Sequence, residues 1–154
     1  MGYGPGMTFT ARIPARFGHS DPAGIVYYPR YLHYCHCAFE DFFADAGKPY
    51  FDVLMNEGLG WPTVHLETTF QQPLRFGQEL SIDVSVTKIG NSSATFRYRG
   101  YREGESEDVM RAEITVVCVS FTDLKPRPIP PAYRELFMAH LVPNDGSSEA
   151  PEQK

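Results

Sequence analysis

Residues 21–31 of this 154-residue chain read Asp21-Pro22-Ala23-Gly24-Ile25-Val26-Tyr27-Tyr28-Pro29-Arg30-Tyr31. Pro22 biases Asp21 towards an extended backbone, because a residue that precedes proline avoids helical dihedral angles. Gly24 permits a tight turn and a close approach of a ligand to the backbone. Pro29 suits the first position of a helix, where its missing N–H group is not needed. The run therefore predicts a carboxylate in a turn directly before a helix.

The start of this helix can also polarise an oxygen atom of a ligand. The backbone N–H groups of a first helical turn have no carbonyl partners inside the helix, and they can face an anion or a carbonyl. A carboxylate beside such donors can act as nucleophile or general base while the N–H groups stabilise the charge that forms on oxygen. Asp21 and the helix start therefore predict acyl transfer. The simpler alternative for Asp21 is an Asx turn or a helix cap.

Composition limits the class of protein. Hydrophobic residues make up 42% of the chain and aromatic residues 14%, which is enough for one buried core. The net charge of -5 argues against nucleic-acid binding, which usually uses a basic face. No apolar run approaches the ~20 residues that cross a bilayer, and no signal pattern begins the chain, so we expect a cytoplasmic protein without membrane contact. The three cysteines, an odd number, do not predict a disulfide framework.

Three segments differ in pattern. Residues 1–7 are glycine-rich and are predicted to be flexible, and residues 143–154 are polar and are predicted to form a disordered tail. Residues 8–142 form the single domain, which opens with a strand at residues 9–17, where apolar and polar side chains alternate. The apolar side chains that follow have helical spacing up to Gly47: Leu32, Cys35, His36, Phe39, Phe42, Phe43 and Ala46.

The second half of the domain is predicted to consist mainly of strands. After a short helix at residues 50–57, the pattern indicates strands at residues 61–72, 78–89, 92–103 and 109–122, and a last helical segment at residues 131–140. The short turns between these strands favour antiparallel neighbours. The order of one strand, one long apolar helix and four strands predicts an α+β fold, in which a five-stranded antiparallel sheet wraps around the helix.

Residues 17–31, from Phe17-Gly18-His19-Ser20 through the run quoted above, resemble the 4-hydroxybenzoyl-CoA thioesterase family of hotdog-fold proteins. An aspartate followed by Pro-Ala-Gly and two β-branched residues carries the resemblance, which extends more weakly to Ala132-Tyr133. The resemblance implies hydrolysis of an acyl-CoA thioester, active sites at a dimer interface, and dimers that pair into tetramers. We expect no cofactor and no metal ion.

The resemblance also implies roles for individual residues. Asp21 would be the nucleophile or the general base, and the backbone N–H group of Tyr28 would polarise the thioester carbonyl. Many family members have histidine at the position of Tyr28, and tyrosine there resembles the branch that acts on aryl-CoA. The expected acyl group is therefore aromatic and similar to 4-hydroxybenzoyl.

Further substrate contacts are expected on the loop at residues 17–28, which we call the motif loop, on the helix that follows it and on the turn at residues 90–93. This turn lacks the arginines that bind CoA phosphates in the resembling enzyme, so that Lys88 is the positive charge near it. His36 matches an acidic position that meets the ring substituent, and an imidazole there predicts a differently substituted ring; the alternative is ordinary core packing. The predicted substrate-binding residues are His19, Gly24, Ile25, Val26, Tyr27, Tyr31, His36, Lys88, Ser92 and Ser93.

Two other sites can be considered around the motif. His19, Ser20 and Asp21 are consecutive, and neighbouring side chains of an extended segment point to opposite faces, so they do not predict a catalytic triad. His33 and Cys37 share one helix face, but a tetrahedral zinc site needs two more ligands. Small residues of a buried helix explain the cluster at residues 33–37 better; the spare zinc ligands would be His65 and Cys118.

The later strands and the function class also leave alternatives. Arg97 and Arg99 share one strand face, with Arg102 beyond them, and such a face is either solvated or binds the phosphates of CoA.

A non-catalytic acyl-CoA-binding or regulatory hotdog domain is the second function class, although a binder would not need the Asp21 carboxylate. A dehydratase would need a paired histidine and acid, and the sequence indicates no such pair.

Overall fold

The long predicted helix forms at the expected place. The structure, a computed structural model, describes residues 6–144. The predicted flexible N-terminus at residues 1–7 and the predicted tail at residues 143–154 therefore lie almost entirely outside the described residues. Helix α1 spans Pro29–Asp45 and has proline at its first position, as predicted. Gly47 follows it with a φ of 76°, a left-handed conformation that suits glycine after a helix.

Most of the strands belong to one antiparallel sheet that wraps around α1. They are β1 (Phe9–Pro14), β2 (Leu59–Gly60), β3 (Thr63–Phe70), β4 (Glu79–Ile89), β5 (Ser93–Tyr101), β6 (Asp108–Val117) and β7 (Val119–Ser120). Five of them form one sheet in the order β1-β4-β5-β6-β3, and β2 pairs with β7 separately. On β5, buried side chains such as Phe96 alternate with partly exposed polar ones, and the Phe96 ring lies 5.2 Å from that of Phe39 on α1. The predicted α+β architecture is confirmed.

One face of α1 is buried against the sheet. Its buried residues follow steps of three and four: Tyr31, Tyr34, Cys35, Ala38, Phe39, Phe42 and Phe43. The prediction that His36 lies on this apolar face is wrong. Its side chain is 52% exposed and its Nε2 lies 3.2 Å from Oε2 of Glu40, because position 36 is turned about 100° beyond the buried Cys35.

Several predicted element ends differ from the structure. β1 ends at Pro14 instead of residue 17, and Phe17–His19 form one turn of 3-10 helix. The strand predicted at residues 109–122 divides into β6 and β7, because β7 leaves the sheet to pair with β2. The two shorter helices, α2 (Tyr50–Met55) and α3 (Pro131–Ala139), lie where the pattern indicates helices.

The sheet has two ends with different neighbours. At the motif end lie the last residue of β1, the last residue of β3 and the first residue of β4, which are Pro14, Phe70 and Glu79. At the far end lie Thr63 of β3 and Ile89 of β4. Because β4 has 11 residues, the two ends are roughly 35 Å apart. Within one chain, the motif loop and the turn at residues 90–93 therefore lie at opposite ends of the sheet.

The edge strand β3 leaves apolar side chains uncovered. Leu66 and Phe70 point to the inner face of the sheet, on the same side as the buried Ile114 of β6, yet Leu66 is 37% exposed and Phe70 is 44% exposed. Val64, which lies at the register shift between Thr63 and His65, is 60% exposed. An edge strand also presents unpaired backbone groups.

Between residues 6 and 144, no helix is both long and apolar enough to span a membrane.

Candidate active site

The motif loop is a narrow hairpin with Asp21 near its tip. Ser20 pairs with Val26, and the N–H group of Asp21 donates to the carbonyl of Ile25 at 2.9 Å. Gly24 has a φ of 79° and its N–H group donates to the carbonyl of Asp21 at 2.9 Å, which closes the turn. The predicted Pro/Gly turn is therefore present, and it is held by backbone hydrogen bonds.

The Asp21 carboxylate is oriented by its own turn. Its Oδ1 accepts a hydrogen bond from the N–H group of Ala23 at 2.8 Å, which is an Asx turn. Within the described residues 6–144, Oδ2 makes no hydrogen bond or ion pair, and the residue is partly exposed. The Asx turn and a chemical role are thus compatible, since one oxygen holds the side chain and the other remains open.

The backbone N–H group of Tyr28 stands at the start of α1. Tyr28 is the N-cap residue, and the turn after it is closed by the N–H group of Tyr31, which donates to the Tyr28 carbonyl at 3.2 Å. In the part of the chain that the structure describes, the Tyr28 N–H group has no acceptor. Its side chain is 62% exposed and lies against Phe70, with 6.3 Å between ring centroids. An open N–H group at a helix start can donate to an anion or to a carbonyl oxygen.

His19 is held as a neutral imidazole beneath the loop. Its Nδ1 lies 2.7 Å from the Tyr34 hydroxyl and accepts from the N–H group of Arg16 at 3.2 Å, which leaves the ring proton on Nε2. Burial lowers the pKa of His19, and the positive charges of Arg30 and Arg16 lower it further. Its Nδ1 is occupied by partners other than Ser20 or Asp21, and the buried Ser20 Oγ has no partner within residues 6–144, so these three residues form no relay.

The predicted pocket residues after Gly24 form part of one apolar wall. Val26 is buried, and its N–H group donates to the carbonyl of Leu74 at 2.7 Å. Tyr31 is also buried, and its hydroxyl accepts from the N–H group of Leu74 at 3.1 Å. Phe70 packs on Tyr31 with 5.4 Å between centroids. Sequence reasoning missed Phe70 and Leu74, although an aromatic residue that ends an exposed edge strand is a usable signal.

Two other predicted wall residues are more open to solvent. Tyr27 is 50% exposed, and its ring centroid lies 5.3 Å from that of Tyr28. Ile25, two residues before Tyr27, is partly exposed and supplies the carbonyl that closes the loop on Asp21. The loop therefore presents an aromatic, solvent-accessible surface beside the open oxygen of Asp21.

The predicted contacts at Lys88, Ser92 and Ser93 are not near Asp21 in this chain. They lie at the far end of the sheet, roughly 35 Å from the motif end. There the carbonyl of Ser92 accepts from the N–H group of Cys118 at 2.7 Å. Sequence reasoning missed Arg134, whose guanidinium donates to the carbonyls of Gly90 and Asn91 at 2.8 and 3.1 Å, because nothing in the local pattern links α3 to this turn.

The arginines of β5 form ion pairs on the outer face of the sheet. Arg97 pairs with Glu113, with Nε and Oε1 3.4 Å apart. Arg99 pairs with the buried carboxylate of Asp108, with Nε and Oδ1 2.8 Å apart, and Asp108 also pairs with Arg111. These contacts favour a structural role over recognition of CoA phosphates.

The histidine and cysteine side chains of α1 do not converge with others. Sγ of Cys37 lies 3.6 Å from Nε2 of His33 on the exposed side of the helix. Among residues 6–144, no three His, Cys, Asp or Glu side chains come together in a way that could hold a metal ion. Burial raises the pKa of the Cys35 thiol to about 12, so this thiol is protonated at neutral pH.

Comparison with known proteins identifies the family of this chain. Residues 15–137 match the sequence model of the thioesterase-like superfamily. The 1,4-dihydroxy-2-naphthoyl-CoA hydrolase of Thermosynechococcus vestitus is 30% identical over 114 residues, which are 74% of this chain and 77% of that protein.

Solved structures agree with this family. A variant of 4-hydroxybenzoyl-CoA thioesterase in complex with 4-hydroxybenzoyl-CoA has a TM-score of 0.75 and 27% identity, and the match covers 84% of this chain and 98% of that one. A gentisyl-coenzyme A thioesterase has a TM-score of 0.73 and 25% identity, with the same two shares of 84% and 98%. From the matched residues and the shared architecture, we conclude that the chain belongs to the thioesterase-like superfamily of hotdog-fold proteins.

Proposed function

We propose that this protein hydrolyses an aromatic acyl-CoA thioester to the free acid and CoA at the site formed by Asp21 and the start of α1. The enzyme class, an acyl-CoA thioester hydrolase, agrees with the named relatives. The aromatic acyl group is supported by their substrates as named, since each carries a hydroxylated ring. The observation that carries the residue roles is that, within residues 6–144, the Oδ2 atom of Asp21 and the N–H group of Tyr28 lie on the same short loop and neither has a partner.

Asp21 can act in either of two ways. As a nucleophile, its carboxylate attacks the thioester carbonyl, CoA leaves as the thiolate, and water then hydrolyses the mixed anhydride to release the acid. As a general base, it takes a proton from a water molecule that attacks the carbonyl, and the collapsing tetrahedral intermediate expels the CoA thiolate. In both routes the N–H group of Tyr28 donates to the carbonyl oxygen while that oxygen is negatively charged.

A second copy of the chain completes this site in our proposal. The uncovered edge of β3 and its apolar side chains Val64 and Leu66 favour antiparallel pairing with β3 of another copy. A two-fold axis at the middle of β3 places the motif end of one chain beside the far end of the other. The pantetheine arm of CoA would then lie near Lys88 of the partner subunit, Ser92 of the partner subunit and Ser93 of the partner subunit. We expect two such dimers to associate into a tetramer.

The proposed reaction can be tested with a panel of thioesters. Purified protein is assayed for thiol release from benzoyl-CoA, 4-hydroxybenzoyl-CoA and butyryl-CoA, and kcat/KM is compared. We expect the aromatic esters to be preferred, because Tyr27, Tyr28 and Phe70 supply an aromatic surface beside Asp21. If butyryl-CoA has the highest kcat/KM, the aromatic substrate is wrong. If no thioester in the panel releases thiol, hydrolysis itself is wrong.

His36 is expected to influence which ring is preferred. Its Nε2 faces Glu40, and within residues 6–144 no partner contacts Nδ1, so Nδ1 can accept a hydrogen bond from a ring hydroxyl. His36 lies about 12 Å along α1 from Tyr28. A long or substituted aromatic acyl group can span this distance better than a short acyl chain can. Because the side chain is 52% exposed, His36→Ala should lower the preference for hydroxylated over bare rings by only about 1 kcal/mol, or about fivefold.

The measurement compares kcat/KM for 4-hydroxybenzoyl-CoA and benzoyl-CoA in the wild type, in His36→Ala and in His33→Ala. His33 lies on the same helix and is also exposed, so it serves as the matched control. An unchanged ratio in His36→Ala, or an equal change in both variants, would show that His36 does not select the ring.

A further inference from the structure

Two copies of the tripeptide Arg-Phe-Gly, which are distant in sequence, meet at the motif end of the sheet. They are residues 16–18 and 75–77. The N–H group of Gly77 donates to the carbonyl of Ala15 at 2.9 Å, and the N–H group of Ala15 donates to the carbonyl of Gln78 at 2.9 Å. The rings of Phe17 and Phe76 pack edge to face, with centroids 5.5 Å apart and planes at 88°. We name the four side chains Arg16, Phe17, Arg75 and Phe76 the Arg-Phe patch.

The patch is apolar and cationic, and it is uncovered. Phe17 is 79% exposed and Phe76 is 51% exposed, which leaves an aromatic pair in contact with water. Neither guanidinium of the patch makes an ion pair with an acidic side chain among residues 6–144, although the whole chain has a net charge of -5. In contrast, Arg97, Arg99 and Arg111 on the outer face of the sheet all pair with carboxylates.

The patch adjoins the loop that carries Asp21. Nη1 of Arg75 would lie 3.7 Å from a Cβ atom built on Gly24. The charge of Arg16 is close enough to His19 to lower the pKa of that imidazole. Phe76 leads into β4, which lies three strand spacings, or about 15 Å, from β3 and Phe70. The patch therefore lies beside the motif loop, at a separation that the extended pantetheine arm of CoA can bridge from a thioester held at Tyr28.

We propose that the Arg-Phe patch binds the nucleotide end of the CoA substrate, with its adenine on the Phe17 and Phe76 rings and its phosphates at Arg16 and Arg75. A guanidinium matches the geometry and the charge of phosphate, and an aromatic ring offers a stacking surface to a purine. This proposal rests on the proposed function, and it assigns the nucleotide to the chain that carries Asp21. It also accounts for CoA binding by a chain whose turn at residues 90–93 contains no arginine.

The central experiment compares two substrates that differ only in the nucleotide. Benzoyl-CoA and benzoyl-pantetheine carry the same thioester, so the ratio of their kcat/KM values measures what the nucleotide end contributes. In the double variant Arg16→Gln/Arg75→Gln, we expect this ratio to fall by about tenfold, mainly through KM for benzoyl-CoA. The backbone N–H group of Arg16 keeps its hydrogen bond to His19, since the substitution changes only the side chain.

Two further variants separate the aromatic part from general effects. Phe76→Ala should lower the same ratio, whereas Phe51→Ala should leave it unchanged, because Phe51 is 70% exposed on α2 and belongs to no proposed site. Arg12→Gln is the matched control for charge, since Arg12 is an exposed arginine on the edge strand β1. Raising the salt concentration should increase KM for benzoyl-CoA in the wild type more than in the double arginine variant.

A binding measurement keeps this test independent of turnover. Adenosine 3′,5′-bisphosphate, the nucleotide part of CoA, is titrated calorimetrically into the wild type and the double arginine variant, and the variant should bind about tenfold more weakly. Equal binding and an unchanged substrate ratio would overturn the proposal. So would a ratio that falls in Lys88→Gln but not in Arg16→Gln/Arg75→Gln, because the far end of the sheet would then hold the nucleotide. Binding of the bisphosphate at the patch without thioester hydrolysis would overturn the proposed function alone.

Discussion

Replacing Asp21 with alanine or with asparagine should lower thioester hydrolysis by about 10³-fold or more while the protein still folds and binds substrate. The two variants separate the two roles of this side chain. An asparagine side-chain oxygen can still accept the hydrogen bond from Ala23, so Asp21→Asn keeps the Asx turn and removes only the negative charge. Asp21→Ala removes both. If the carboxylate performs the chemistry, both variants should lose activity to a similar degree.

Single-turnover kinetics with an excess of enzyme measures the chemical step without product release. Ser20→Ala is the matched control, since the neighbouring Ser20 Oγ is buried and has no partner within the described residues. The control should retain activity within a small factor. Full activity in Asp21→Asn with loss in Asp21→Ala would show that Asp21 only shapes the loop. A tenth of the wild-type rate in both folded variants would exclude Asp21 as nucleophile or base.

The local features around Asp21 could be predicted because their causes are local. Pro22 and Gly24 restrict the backbone of the loop, and Pro29 marks the first helical position, so the turn and the helix start follow from neighbouring residues alone. The long apolar helix and the strand pattern then lead to a sheet around a helix. The register of β3 against β6, and the separation of β7 from β6, depend on long-range pairing that a local pattern does not contain.

The wrong or incomplete predictions have two causes, helical rotation and contacts between distant segments. The spacing predicts His36 on the apolar face, but one residue of helical rotation turns it to solvent and to Glu40. The predicted contacts Lys88 and Ser92 lie at the other end of the sheet from Asp21 in the same chain. Phe70 packs near Tyr28 and Tyr31 because the end of β3 meets the start of α1. The last two cases depend on which ends of the elements meet, and a local pattern does not contain that information.

Placing a charge on the inner side of β3 should prevent dimer formation and strongly lower activity. Leu66→Lys puts an ammonium group at a position that is 37% exposed in the single chain, so the protomer should still fold. A charge that points to the inner side of an edge strand opposes strand pairing, because pairing would bury it. The proposed site draws on both ends of the sheet, which only two copies can bring together. We therefore expect a monomer whose kcat/KM for an aryl-CoA is lower by about 10²-fold or more.

His65→Lys is the matched control for this variant. His65 precedes Leu66 on the same strand but points to the outer face, so the added charge remains in water when two β3 strands pair. Light scattering at micromolar concentration gives the oligomeric state, and circular dichroism tests the fold of each variant. A monomeric Leu66→Lys protein with wild-type activity would refute the shared site. A dimeric, fully active Leu66→Lys protein would refute pairing through β3, because a buried lysine at this edge could not leave the interface intact.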